Sequence, residues 1–174
     1  MFKRTAMLFS VAIMFTTFSV GCMNFAPSDR FIAVLTPTAG SATSGIVQFY
    51  QTDEGVRIVA AVSNLTPGDH GFHIHQWGDI SLDNGKAAGG HFNPEIKAHG
   101  ARDADHRHVG DLGNLSADSN GVANYEWTDP DMDLAQIIGR GVIVHAKKDD
   151  YGQPTGNAGA RVAQGVIGVA NDEE

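Results

Sequence analysis

Short runs of alternating apolar and polar or clustered β-branched residues, separated by glycine-bearing turns, fill most of this chain, and no long stretch repeats apolar residues at helical spacing. Such a chain buries its apolar side chains by pairing strands. Phe31 to Leu35, Gly45 to Tyr50, Val56 to Val62 and Gly71 to Trp77 read as four strands. Asp111 to Ala117, Val122 to Trp127, Gly141 to Ala146 and Gly165 to Ala170 read as four more. Asp53-Glu54-Gly55, Thr66-Pro67-Gly68-Asp69 and Asn120-Gly121 supply turns. Between the two sets lies an irregular stretch, Gly78 to Gly110, rich in Gly, Asp and His. Loops of that length inside a folded domain carry function or are disordered. The expectation is an all-β, eight-stranded Greek-key β-sandwich or flattened barrel with two long functional loops.

At 174 residues one domain is the default, and the 42% hydrophobic content is that of a folding chain. Twenty acidic residues oppose twelve basic ones, for a net charge of −8. Such a field repels a phosphate backbone, and no local run of Lys or Arg offsets it, so nucleic acid is excluded as a partner. Cys22 is the one cysteine, which rules out an intrachain disulfide.

Residues 1–22 read as an export signal. Lys3 and Arg4 form a positive start, Met7 to Phe18 an apolar stretch, and Ser19-Val20-Gly21-Cys22 a small-residue end. The apolar stretch is too short for a mature transmembrane helix. Cys22 after Gly21 resembles a bacterial lipoprotein cleavage box, with Ser19 departing from the usual Leu; ordinary secretion with a leftover thiol is the other reading. The first predicts membrane attachment through lipidated Cys22, and either places the mature chain in the periplasm, at the cell envelope or outside. Residues 23–30 form a polar spacer, 31–170 the domain and 171–174 an acidic tail.

All eight histidines fall between positions 70 and 145. His73 and His75, two apart in an expected strand, project from one face, as two ligands of one metal must. His91, His99 and His108 follow at loop-sized intervals with Asp111 three beyond, and imidazoles with a carboxylate suit zinc. His145 comes from a later strand. An imidazole-only set with an open side suits copper. If one His served both ions, these seven side chains would give four ligands to each.

Gly71-Phe72-His73-Ile74-His75, His91-Phe92-Asn93-Pro94, His99-Gly100, Arg107-His108-Val109-Gly110-Asp111-Leu112-Gly113-Asn114, Ile138-Gly139-Arg140, Val144-His145 and Gly156-Asn157-Ala158-Gly159-Ala160-Arg161 together resemble the copper/zinc superoxide dismutase family. They occur in the family's order over nearly all of 31–170. The resemblance implies dismutation of superoxide to dioxygen and hydrogen peroxide by a redox-cycling copper beside a structural zinc. It makes His73, His75, His91 and His145 the copper ligands, and His91, His99, His108 and Asp111 the zinc ligands. His91 then bridges both ions and exchanges a proton during turnover. Asp149 matches the carboxylate that ties a copper-ligand ring to a zinc-ligand ring, and Arg161 matches the arginine that guides the anionic substrate. His70 matches a structural position, and His106 matches no ligand.

Two departures stand out. The family's disulfide between the long loop and the last strand falls here near Asn84 or Gly85 and at Gln164, where no cysteine stands. The Asp149 to Arg161 loop is also shorter and poor in charge. A non-catalytic copper/zinc-binding envelope protein, acting as metal buffer or delivery protein, is the alternative function; Arg161 and Asp149 argue against it. The segments at Ile137-Ile138-Gly139 and Gly165 to Ala170 resemble those that pair family subunits, which leads to the expectation of a homodimer.

Overall fold

The computed structural model describes residues 29–171. The expected export signal, Cys22, nearly all of the spacer and residues 172–174 of the tail lie outside that range. Antiparallel strands form one curved sheet: β1 (Arg30–Pro37), β2 (Ser44–Thr52), β3 (Gly55–Ser63), β4 (Gly68–His75), β5 (Asp111–Ala117), β6 (Ala123–Asp129), β7 (Gly141–His145) and β8 (Arg161–Val166). A two-residue strand, β9 (Gly168–Val169), pairs with β1. Strand order is β5-β4-β7-β8-β1-β2-β3-β6, the crossed connectivity of a Greek key in a nearly closed barrel. A four-residue helix, α1 (Leu134–Ile137), with Asp133 as its N-cap, precedes β7.

Period-two alternation sets which side chains enter the barrel. In β3, Val56, Ile58, Ala60 and Val62 are buried while Arg57 and Ala61 are exposed. Phe31, Ala33 and Leu35 of β1, Val47 and Phe49 of β2 and Leu112 and Leu115 of β5 complete much of the core. In β4 the alternation splits roles: Phe72 and Ile74 enter the core, whereas His73 and His75 face away from it. All four are nonetheless buried, because the two long loops cover the outer face.

Two strand readings shift: the strand expected at Gly71 to Trp77 is β4, which starts at Gly68 inside the expected Thr66 to Asp69 turn and ends at His75. The last strand was expected at Gly165 to Ala170, but β8 begins at Arg161 and the chain breaks at Ile167 before β9. Ile167 exchanges backbone bonds with the turn after α1: its N–H donates to Arg140 O at 3.0 Å, and its carbonyl accepts from Gly139 N at 2.8 Å. Arg161 therefore stands on a strand rather than in the loop.

Candidate metal centre

The long loop is stitched to the middle of β4. Phe92 N–H donates to Ile74 O, Ile74 N–H to Gly110 O and Gly110 N–H to Phe92 O, each at 2.9 Å. Gly110 is required there, since a Cβ would collide with the Ile74 carbonyl. Arg107 clamps the loop further with paired bonds of 2.7 and 2.8 Å to the buried Asp129. The Arg140 guanidinium lies 4.2 Å from the Phe92 ring centroid. These ties bring His91, His99 and His108 against His73, His75 and His145.

Two four-residue donor groups result, beside a three-residue set of His73, His99 and Asp149, each with all its candidate ligand atoms within 4.8 Å of one another. One is His73, His75, His91 and His145; the other is His91, His99, His108 and Asp111. Every member is buried. His91 belongs to both. Its Nδ1 lies 2.9 Å from Asp111 Oδ1 and 3.4 Å from His108 Nδ1, which leaves Nε2 for the first group.

Unpaired atoms reveal what these groups are built to hold. His73 Nδ1, His75 Nε2 and His145 Nε2 are buried without a hydrogen-bond partner among the described residues. Such orphans cost about 1–3 kcal/mol each unless something else satisfies them. His99 Nδ1 lies 3.0 Å from Asp111 Oδ2 yet makes no aligned hydrogen bond with it. Bare imidazole nitrogens converging beside a carboxylate fit metal ligation.

The opposite ring nitrogens are all held. His73 Nε2 donates to Asp149 Oδ2 at 2.8 Å, His99 Nε2 lies 3.0 Å from the same carboxylate, and His75 Nδ1 donates to Gly89 O at 2.9 Å. These bonds fix tautomer and ring orientation. Asp149 is itself seated by Asn114, which donates to its carbonyl at 3.1 Å and accepts from its N–H at 2.7 Å. Gly156, with φ +72°, leaves the space the Asp149 carboxylate occupies.

Burial, the largest cause in each case, pushes His91 down to about 4 and His145 to about 3, and holds His75 well below the usual imidazole value. At His99 burial acts the same way, but Asp111 and Asp149 outweigh it and raise the ring to about 9. Both carboxyls stay well below the usual carboxylate range: burial opposes this, and the surrounding imidazoles prevail.

Arg161 donates from Nη2 to Gly89 O at 2.6 Å and from Nη1 to Gly85 O, and it shares with His145 the wall of an open groove of about 590 Å³. The other lining residues include Asn84, Lys86 and Thr155, and no carboxylate among the described residues. His70 binds backbone carbonyls, those of His145 and Thr66, at 2.8 Å each, and His106 is exposed. The sequence reading missed Lys86, the seating role of Asn114 and the Gly85 and Gly89 carbonyls. Backbone acceptors carry no residue signature, and an exposed lysine next to a glycine turn has none either.

The family description copper/zinc superoxide dismutase matches residues 43–167. The chain belongs to that family. A copper-zinc superoxide dismutase of Onchocerca volvulus is 46% identical over 158 residues, covering 82% of this chain and 97% of the relative. An extracellular copper-zinc superoxide dismutase of the same organism is 45% identical over 157 residues, covering 81% and 76%. The crystal structure of the clock protein EA4 superposes with a TM-score of 0.77 at 41% identity, covering 84% of this chain and 98% of that one. Members of this copper/zinc family use both metals, and the two donor groups here fit that pair.

Proposed function

We propose that the chain dismutes two superoxide anions and two protons to dioxygen and hydrogen peroxide, using His73, His75, His91 and His145 as copper ligands and His91, His99, His108 and Asp111 as zinc ligands. The observation that carries the reading is the single ring of His91 shared by two buried donor groups. When bound, copper supplies a one-electron couple and zinc a fixed divalent charge without redox chemistry. Arg161, held by two loop carbonyls beside His145, draws the small anion into the groove and donates hydrogen bonds to it. Nε2 of His91 is the atom at which a proton is held and given up. Asp149 keeps the His73 and His99 rings in register through their Nε2 atoms.

The test is superoxide decay on the metal-loaded chain beside a metal-free control. Wild type accelerates decay, and His145→Ala abolishes the copper-dependent part. Full activity of that variant with one equivalent of copper overturns the ligand set. A loaded wild type no faster than its control favours metal storage instead.

Export through residues 1–22 is supported by their charge and apolar pattern and by the likeness to an extracellular relative. Mass spectrometry of the mature N-terminus distinguishes lipid on Cys22 from an unmodified end. A homodimer is supported by the exposed apolar side chains of Trp77, Ile138 and Val169, at 53%, 39% and 63%. Gly78 and Gly139, the chain neighbours of the first two, abut each other. Sedimentation should give a dimer at micromolar concentration that Ile138→Asp dissociates; a monomeric wild type refutes it.

A further inference from the structure

The 78–90 segment carries both carbonyls that receive Arg161, those of Gly85 and Gly89. No intrachain disulfide fastens it, because the chain has a single cysteine, Cys22, outside the segment. Backbone bonds from outside the segment hold it at three places: Ala39 N–H donates to Asp83 O at 2.6 Å, Trp77 N–H to Ala88 O at 3.0 Å and Gln76 N–H to Gly90 O at 2.8 Å. One buried side chain reaches it from β8. Gln164, 5% exposed, donates from Nε2 to Leu82 O at 3.3 Å.

The packing around this contact is close. A Cβ on Gly85, whose φ is +72°, would stand 3.1 Å from Arg161 Cδ and 3.5 Å from Gln164 Oε1. Gln164 Oε1 is itself buried and has no hydrogen-bond partner among the described residues. Stability alone would favour an apolar side chain here, since a half-used buried amide carries the desolvation cost of its free oxygen. The bond to the loop is what the amide adds. We infer that Gln164 is a positioning residue, which pins the loop at Leu82 and thereby fixes the two carbonyls that orient Arg161 toward the groove.

This inference rests on Arg161 as the anion guide, and the experiment separates the two. The copper- and zinc-loaded chain is titrated with azide, followed by visible absorption, and amide hydrogen exchange is read over 78–90. Gln164→Leu removes the donor and keeps an apolar body of similar size. The variant is expected to bind azide about fivefold more weakly, the equivalent of one typical hydrogen bond. Amides of 78–90 should exchange faster while those of β1 and β7 keep their rates. Azide affinity within twofold of wild type, or faster exchange spread evenly through β1, β7 and β8, overturns the inference. Wild type that fails to bind azide overturns the anion-guide reading instead. Should Gln164→Leu not fold, the wild type decides: loop amides exchanging as fast as those of the Asp53-Glu54-Gly55 turn would refute the pin.

Discussion

Seven ligand candidates and one carboxylate place strongly coupled titrating groups in a small buried volume, and without metal their protonation must respond to pH in opposite senses. His91 and His145 have folded values of about 4 and about 3, below the ordinary imidazole value of 6.5, with burial the chief cause. Their contribution to stability is complete above about 6.5 and is lost as pH falls through those values. Asp111 and Asp149, held below the usual carboxylate range, add an acid loss of the same sign at lower pH. His99 runs the other way: raised to about 9 by Asp111 and Asp149 against burial, it contributes fully below about 6.5 and less as pH rises through 9. The metal-free chain should therefore be most stable near pH 6.5 and lose thermal stability on both sides. Melting by circular dichroism from pH 3 to 10 checks this; a curve flat from 6.5 down to 3 would remove the burial argument.

Each candidate ligand depends on how its element is held, and glycines mark where the covering loops press closest. Gly156→Ala would both force a positive φ on an L side chain and drive a Cβ into Asp149 Oδ1, with His99 Nε2 3.2 Å away. The expected result is a loss of about 2–4 kcal/mol in the metal-free chain, together with roughly 10–100-fold weaker metal binding because the orienting carboxylate moves. Chemical unfolding and chelator competition measure the two effects, and unchanged metal affinity would show that Asp149 is seated independently of the loop. The strands of the barrel and the rings it brings together were legible in the sequence, because alternation separates Phe72 and Ile74 from His73 and His75 and each candidate ligand is a residue type with its own chemistry. What stayed hidden depends on backbone atoms and tertiary reach. Nothing in the order of residues shows that Ile167 breaks the last strand by bonding to Arg140 and Gly139, or that Leu82 lends its carbonyl to Gln164.

Across the whole molecule, a chain of net charge −8 must admit an anion, and its bulk field opposes that approach. The groove reverses the local sign: Arg161 and Lys86 line it, without a carboxylate among the described residues. Arg161 is half-buried and committed to two carbonyls, whereas Lys86 is exposed and makes no ion pair among the described residues. An exposed ammonium acts on incoming anions over a Debye length of about 8 Å at physiological ionic strength, so it alters encounter more than chemistry. Lys86→Gln should lower the second-order rate of superoxide decay by about two- to threefold at low salt, and Lys86→Glu by more, with both converging on wild type as salt rises. Lys148, paired with Asp69 at 3.3 Å, does not line the groove, so Lys148→Gln should change the rate much less. Pulse-radiolytic decay rates over a range of ionic strength give the comparison. Parallel salt slopes for Lys86→Gln and wild type would mean that the groove draws its anion through Arg161 alone.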